Sequence, residues 1–423
     1  MLLRFRVSNY RSLRTEQEFS LVAANALKDN PDAVNFIDDD LGVLRCAAIY
    51  GANASGKSNV LKAFQFMASA VENSQSSWTP GQNIKRDAFR LDESKPTFFE
   101  VDVLLKGVRY QYGFAIDSNR VIHEQLYAYP NNKKQEWFTR KAQEFRFGKN
   151  LKGGKGNIAA LTRPNSLFLS AAAQNNHKML TPIYKWFSEF VVFLPSNRQL
   201  LSHVTTLQIQ EDTELKEQIQ RFLGAADIGM CEVSVGKKKL LESHRKLASA
   251  FADAVDPGNE TSSKVMKMST IPEASLLHNI EGGGRFVLPL GEESDGTQMY
   301  FALLGPILET LKCGAALFID EIDASLHPLL CLRIVHLFNS SATNPKGAQL
   351  IFATHDTTLL RESNLRRDQL WFTEKDDSGG THLYPLTDFK PRANENLERG
   401  YLQGRYGAIP VLGDFGAILK EGR

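Results

Sequence analysis

The chain has 423 residues, of which 42% are hydrophobic, 23% charged and 10% aromatic. These proportions exclude collagen-like and intrinsically disordered proteins, and the length predicts two domains or one large domain with an insertion. A net charge of only +2 does not indicate whether the chain binds nucleic acid. The absence of long apolar runs predicts no membrane span. Four scattered cysteines without a CxxC pair favour a reducing, cytoplasmic compartment over a zinc site.

Strand and helix patterns alternate from the first residues onward. Residues 3–7 alternate apolar and charged side chains, as a half-buried strand does, and 43–50 form an apolar run before a glycine-rich turn. Helical spacing of apolar residues follows over 60–71. Strand-like runs between 97 and 129 are typical of an antiparallel meander.

The second half of the chain continues this alternation. The pattern predicts charged helices over 207–255, an apolar helix over 297–311, and buried strands at 315–320 and 349–354. Strands that alternate with helices around buried apolar runs predict an α/β sheet. The expected division has three parts, which are 1–200, a helical insertion at 201–270, and 271–423.

A glycine-rich sequence follows the apolar run at 43–50. Residues 51–58 (GANASGKS) match G-x-x-x-x-G-K-[ST] at each fixed position, between a predicted strand and a predicted helix. Backbone N–H groups of such a loop, with the positive end of the helix, form a cradle for phosphates. We expect Lys57 to neutralise the β and γ phosphates and the Ser58 hydroxyl to bind Mg²⁺. The predicted nucleotide-binding residues are Gly51, Ala52, Asn53, Ala54, Ser55, Gly56, Lys57, Ser58 and Asn59.

Two carboxylates and a histidine follow the later buried strands. Asp320 can enter the Mg²⁺ shell, and Glu321 can act as the base that polarises the attacking water. His355, at the end of the next apolar strand, is placed to contact a γ-phosphate. Each of these residue types is common in loops, but the preceding P-loop favours ATP hydrolysis, with Glu321, His355 and Lys57 as catalytic residues.

Together these motifs resemble the ABC-type ATPases, in the branch that contains RecF, SMC and OLD proteins. Residues 9–12 (NYRS) are similar to the N-F-R-S start of that branch, and 294–296 (SDG) to its signature motif. Residues 320–328 (DEIDASLHP) resemble its Walker B and D-loop, and His355 its switch histidine. The closing 401–410 (YLQGRYGAIP) further resembles bacterial AAA_15/RloA-like ATPases, many of them encoded in phage-defence cassettes.

The resemblance implies an α/β fold, an ABC-type ATPase head in which a P-loop NTPase sheet is joined by an antiparallel β subdomain. A small helical lid or dimerisation insertion is expected at 201–270. In this superfamily two heads sandwich ATP and Mg²⁺, so Ser294 and Gly296 of one head would touch the γ-phosphate held by the other. An ordinary N-capped helix is the alternative for Ser294. A glutamine should also reach Mg²⁺, and Gln174 is the candidate.

Three functions fit these motifs. The first is an ATPase, as a homodimer or higher homo-oligomer, that regulates a separate effector (nuclease, Toprim or DUF4435-like) in anti-phage defence. The second is a RecF-like DNA repair clamp, and the third is an ATP-dependent assembly scaffold.

Residues 133–155 add a candidate surface for DNA or RNA. They carry eight Lys or Arg residues interleaved with Trp137, Phe138, Phe145 and Phe147. Basic side chains neutralise phosphates, and exposed aromatic rings can stack on bases. A solvated hairpin whose aromatic rings face the core is the alternative.

Overall fold

The computed structural model describes residues 1–195, 197–239, 270–280, 282–361, 365–392 and 395–410. The chain divides into two compact units. Unit 1 comprises Met1–Leu194, Thr310–Ala324 and Cys331–Arg423, and unit 2 comprises Pro195–Glu309 and Ser325–Leu330. Among the described helices, none is long and apolar enough to cross a membrane.

The strands and helices have the following bounds in chain order. The strands are β1 (Leu2–Ser8), β2 (Gln17–Ser20), β3 (Val34–Phe36), β4 (Gly42–Leu44), β5 (Cys46–Gly51), β6 (Thr97–Leu105), β7 (Val108–Ile116), β8 (Val121–Tyr129), β9 (Gln135–Lys141), β10 (Glu144–Phe147), β11 (Val191–Phe193), β12 (Met230–Lys239), β13 (Thr270–Asn279), β14 (Arg285–Pro289), β15 (Ala316–Ile319), β16 (Gln349–Ala353), β17 (Leu370–Lys375) and β18 (Thr381–Pro385). The helices are α1 (Lys57–Asn73), α2 (Lys155–Leu161), α3 (Phe168–Gln174), α4 (Thr181–Glu189), α5 (Arg198–Glu211), α6 (Thr213–Ala225), α7 (Asp295–Cys313), α8 (Pro328–Asn339) and α9 (Leu397–Leu402).

Unit 1 contains a six-stranded sheet with the order β11-β15-β16-β5-β17-β18. The pairs from β11 to β17 are parallel, and β18 pairs antiparallel with β17. Every residue of β5, β15 and β16 is buried, because these strands are apolar throughout and are covered on both faces. The carboxyl ends of the parallel strands therefore meet at one edge of the sheet.

A seven-stranded antiparallel sheet, with the order β10-β9-β8-β7-β6-β1-β2, forms the second layer of unit 1. The predicted meander is confirmed, since β6 pairs with β7 and β7 with β8. Lys106 and Gly107 both have positive φ at the tight turn between β6 and β7, the conformation that a two-residue hairpin favours. The fold class, a mixed α/β structure with a P-loop sheet and an antiparallel sheet, is confirmed.

Helix α1 joins the two layers through its apolar face. The Phe64 ring stacks on Phe318 of β15 at 4.7 Å and meets Phe5 of β1 edge-on at 4.8 Å. Both sheets therefore belong to one hydrophobic core. Because α1 begins directly after the glycine-rich loop, this packing fixes the position of that loop.

Unit 2 contains α5, α6, the sheet β12-β13-β14 and the first turns of α7. The prediction of helix over 207–255 holds for α6 but is wrong for Met230–Lys239, which is a strand paired along its length with β13. Val233 and Val235 lie two residues apart between polar neighbours, and Val233 is buried. A two-residue spacing of apolar side chains is typical of a strand. Residues 240–255 of the predicted helical stretch lie outside the described residues.

Candidate nucleotide-binding site

The carboxyl edge of the parallel sheet holds most of the predicted site residues. The glycine-rich loop follows β5, Asp320 and Glu321 follow β15, and His355 follows β16. Together with the end of β17 they surround a cavity of about 450 Å³. Its lining consists of Asn53, Ala54, Gly56, Lys57, Ser58, Asn59, Glu321, His355 and Lys375.

The loop has the backbone conformation of an anion cradle. Ala54 and Gly56 have φ of 63° and 116°, and Gly56 occupies the N-cap of α1 without a side chain to satisfy the first helical N–H groups. A Cβ on Gly51 would lie 2.4 Å from both Ser55 Oγ and Thr373 Oγ1. The loop therefore requires glycine at Gly51 and Gly56, and the first residues of α1 line the cavity, where a helix N-terminus favours an anion.

Lys57 is a buried cation, and in the part of the chain that the structure describes no carboxylate is within hydrogen-bond contact of it. Its Nζ donates to the carbonyl oxygens of Gly51 at 2.9 Å and Ala52 at 3.2 Å, so the side chain folds back over the loop. Burial lowers the pKa of Lys57, and the carboxylates of Asp320 and Glu321 act in the opposite direction. A polyphosphate in the cavity would stabilise the desolvated ammonium, which is the fit expected of a nucleotide site.

Ser58 and Asp320 form the candidate Mg²⁺ position. The Ser58 Oγ donates to Asp320 Oδ1 at 3.0 Å, which brings together one hydroxyl and one carboxylate from segments 262 residues apart. No group of three or more His, Cys, Asp or Glu side chains suited to a metal occurs among the described residues. The donor set still fits Mg²⁺, because that ion usually takes one or two protein ligands and completes its shell with phosphate oxygens and water.

Glu321 and His355 line the cavity beside this pair. Glu321 has φ of 56°, a left-handed conformation that costs a non-glycine residue roughly 1–2 kcal/mol. Such strain is concentrated at functional sites. Burial, and then the Lys57 ammonium, lower the pKa of His355, so the ring is neutral at pH 7. The His355 backbone N–H donates to the Asp323 carboxylate at 3.3 Å, which holds the histidine at the strand end.

The structure does not bring Gln174 to this site. Gln174 ends α3 and bonds the Tyr184 hydroxyl, which donates to the Glu72 carbonyl. Glu72 lies near the far end of α1, about 21 Å along the helix from Ser58 at 1.5 Å per residue. The prediction that Gln174 binds Mg²⁺ is incompatible with this position, because a side chain of its length cannot span that distance.

The predicted signature residues lie in unit 2, at the start of α7. Ser294 Oγ accepts from the Thr297 N–H at 3.2 Å, as an N-cap does, and Gln298 Nε2 donates to the Glu293 carbonyl at 2.8 Å. A Cβ on Gly296 would approach the Ser325 carbonyl to 3.1 Å. The N-cap alternative thus describes Ser294 within one chain, while contact with a second chain's nucleotide stays a prediction.

The structure favours the hairpin alternative for residues 133–155. The four aromatic residues of this segment belong to the core of unit 1 or pack against it, and Phe145 and Phe147 both contact Phe168. Arg140 is 0% exposed and contacts Glu124. Trp137 and Phe138 are therefore not available for base stacking, and Phe145 and Phe147 are only partly exposed. The exposed lysines and Arg146 are the cations of this segment that could meet phosphates.

Several contacts to the site were not predicted from the sequence. Lys375 lines the cavity from the end of β17, and the Ser55 hydroxyl bonds Thr373 of the same strand at 2.6 Å. Ser12 and Thr381 contact the loop and α1 from outside. The apolar run that begins at Leu370 is a strand signal that could have placed Lys375 and Thr373 at the shared edge.

Similar solved structures are heads of SMC proteins. The SMC head domain from Thermotoga maritima is 13% identical, with a TM-score of 0.42, over 91% of this chain and 98% of that one. An SmcHead bound to the C-winged helix domain of ScpA gives 13% identity and a TM-score of 0.42, over 92% and 99%. The Smc head with an extended coiled coil from Pyrococcus furiosus gives 13% and 0.37, over 92% and 97%.

The comparison with protein families identifies the family to which the chain belongs. No curated protein matches the chain in sequence. Residues 46–361, well over half of the chain, match AAA_21, described as "AAA domain, putative AbiEii toxin, Type IV TA system". The matched region begins with β5 and contains the glycine-rich loop, the Asp320–Glu321 pair and His355. This protein therefore belongs to the AAA_21 family of AAA-type ATPase domains.

Proposed function

We propose that the protein hydrolyses ATP with Mg²⁺, dimerises around the nucleotide and regulates a separately encoded effector in anti-phage defence. The observation that carries the catalytic part is the convergence of four parallel strand ends on one cavity. A phosphate cradle, a Ser58–Asp320 pair at 3.0 Å and the strained Glu321 all lie at that edge.

The side chains have complementary roles in this mechanism. Lys57 exchanges its carbonyl partners for phosphate oxygens, and the loop amides hold the same phosphates. Ser58 and Asp320 would hold Mg²⁺, which neutralises charge on the phosphates when bound. Glu321 accepts a proton from the attacking water, and neutral His355 can donate a hydrogen bond toward the terminal phosphate.

Two substitutions test the ATPase, each with a matched control. Lys57→Ala should abolish nucleotide binding, whereas Lys62→Ala on the exposed side of the same helix should bind normally. Glu321→Gln should keep binding but slow turnover about 10²–10⁴-fold, because the amide cannot act as a base. Glu374→Gln, which changes an exposed carboxylate near the end of β17, is the control for that change. Wild-type turnover in Glu321→Gln would refute the assignment of the base.

The proposed dimer rests on the signature resemblance and on the position of Ser294 at a helix N-terminus. Ser294→Arg should remove hydrolysis without weakening ATP binding to an isolated chain. Mixing it with Lys57→Ala protein should restore part of the activity, since one site of the mixed dimer is intact. Mixed dimers that form without any rescue would argue against a site shared between two chains.

The defence role rests on the AAA_21 family description and on the 401–410 resemblance to AAA_15/RloA-like ATPases. Phage plating on cells that carry the native gene cluster tests it, with Lys57→Ala and Glu321→Gln clusters alongside. Protection by the wild type alone supports the proposal. Equal protection by all three clusters would remove ATP from the mechanism.

A toxin is the second candidate, favoured by the family description, which names a type IV toxin–antitoxin system. Expression without the neighbouring genes distinguishes it, because a toxin would arrest growth in uninfected cells and a restraining ATPase would not. The RecF-like clamp has less support, since Trp137 and Phe138 are buried in the core of unit 1 and Phe145 and Phe147 pack against it.

A further inference from the structure

A group of side-chain hydrogen bonds contacts the phosphate loop and the first turn of α1. Asn59 Nδ2 lies 2.7 Å from Ser12 Oγ, Ser12 Oγ lies 2.7 Å from Thr381 Oγ1, and Thr381 Oγ1 lies 2.8 Å from the Ser55 carbonyl oxygen. Ser12 is 8% exposed and Thr381 is 1% exposed. These hydrogen bonds therefore join three distant segments of unit 1 through buried contacts.

The Thr381 hydroxyl is the donor in two of these contacts. The Ser55 carbonyl can only accept, so Thr381 donates to it, and Thr381 Oγ1 also donates to Ser12 Oγ. The single hydroxyl proton is therefore shared between two acceptors, while the Asn59 amide donates to Ser12.

The hydrogen bond to Ser55 determines which way the peptide between Ser55 and Gly56 points. The peptide is trans, and in a trans peptide the C=O and N–H point in opposite directions. Because the Ser55 carbonyl accepts from Thr381, the Gly56 N–H points away from Thr381, and Gly56 lines the cavity. Thr381 also contacts the loop directly, since a Cβ on Gly56 would lie 2.2 Å from its Oγ1.

From this geometry we infer that Thr381 is a positioning residue for phosphate binding. It acts through the 55–56 peptide, and its role rests on the proposed binding of ATP at this site. Without the Thr381 hydroxyl the peptide can rotate, and a bound phosphate must then restore its orientation. The cost appears as lost affinity and not as slower chemistry, because Asp320 and Glu321 do not contact Thr381.

Thr381→Val tests this role because it preserves shape and removes only the hydroxyl. ATP affinity should fall about tenfold, the effect of one buried hydrogen bond. KM should rise with kcat near the wild-type value, and Thr381→Ser should restore most of the affinity. Hydrogen exchange of the 51–60 backbone in the nucleotide-free protein should become faster in Thr381→Val.

Thr162→Val is the matched control. Thr162 is 2% exposed, and its Oγ1 donates to the Ile158 carbonyl at 2.8 Å within unit 1, so the same chemical change is made away from the loop. It should lower thermal stability to a similar degree but leave affinity and 51–60 exchange unchanged.

The outcomes separate this inference from the proposed function. If the wild type binds no ATP, the proposed function fails. If the wild type binds and Thr381→Val binds within twofold of it, the positioning role is refuted. If Thr381→Val does not fold, Thr381→Ala replaces it and should weaken ATP binding to a similar degree, because it also removes the hydroxyl. Unchanged affinity in Thr381→Ala would then refute the role.

Discussion

Substitution of Arg140 distinguishes a structural role of residues 133–155 from a role in nucleic-acid binding. Its guanidinium donates to the Glu124 carboxylate at 3.3 Å and to the Ser166 carbonyl at 2.6 Å, and both charged side chains are 0% exposed. Glu124 also accepts from the backbone N–H groups of Phe168 and Leu169, at 2.7 Å and 2.9 Å. Arg140→Met would leave a buried, charged Glu124 without its counterion and would orphan the Ser166 carbonyl.

We expect Arg140→Met to lower the free energy of unfolding by about 4 kcal/mol, since breaking a buried ion pair costs roughly 3–5 kcal/mol. This is a large share of the about 5–15 kcal/mol of a typical domain. The neighbouring Lys141 is exposed on the same strand, and Lys141→Met should change stability by less than about 0.5 kcal/mol.

Urea denaturation followed by tryptophan fluorescence measures these changes. The four tryptophans all lie in unit 1, so their signal reports on the unit that contains the ion pair; they are Trp78, Trp137, Trp186 and Trp371. A nucleic-acid contact at Arg140 predicts the opposite result, which is weaker binding of single-stranded DNA with unchanged stability. Equal midpoints for Arg140→Met and Lys141→Met would refute the structural role.

Three further predictions concern the site and its surroundings. Gln174→Ala should keep ATP turnover within twofold of the wild type in a phosphate-release assay, because Gln174 lies at the far end of α1. Lys375→Met should weaken ATP binding several-fold in calorimetry, with a smaller effect at high salt, because an exposed cation is lost from the cavity wall. Burial lowers the pKa of His177, so the unfolded chain binds the proton more tightly and the free energy of unfolding should fall as the pH drops below 6.5. His177→Asn should reduce the difference between the free energies of unfolding that urea titrations give at pH 7.5 and at pH 5.5.

The sequence predicted the parts of the site that depend on local patterns. The loop at 51–58 and the strand that ends before Asp320 are each recognisable from a few consecutive residues. Parallel strands place their carboxyl ends at one edge, so three correctly predicted strands were enough to bring Lys57, Glu321 and His355 together.

Interactions that depend on tertiary contacts could not be predicted in the same way. Gln174 follows an apolar run, but nothing in its neighbours indicates that α3 packs at the far end of α1. Thr381 is an unremarkable threonine in the sequence, and its contact with Ser55 exists only because β18 pairs beside β17. The strand at Met230–Lys239 was mistaken for helix because charged residues cluster there and outweighed two alternating valines.

The motif at 401–410 packs against the strands of the nucleotide site, and this packing changes how strongly the motif supports a role in defence. The Tyr401 ring packs edge-on against Tyr50, the residue before Gly51, at 5.6 Å, and also stacks on Phe372 of β17 at 5.6 Å. The Tyr50 hydroxyl donates to the Asp356 carbonyl at 2.9 Å, directly after His355. The motif therefore supports the strands that carry the nucleotide site. An ATPase of any function could keep this packing, so the phage-plating comparison, and not the motif, tests the defence role.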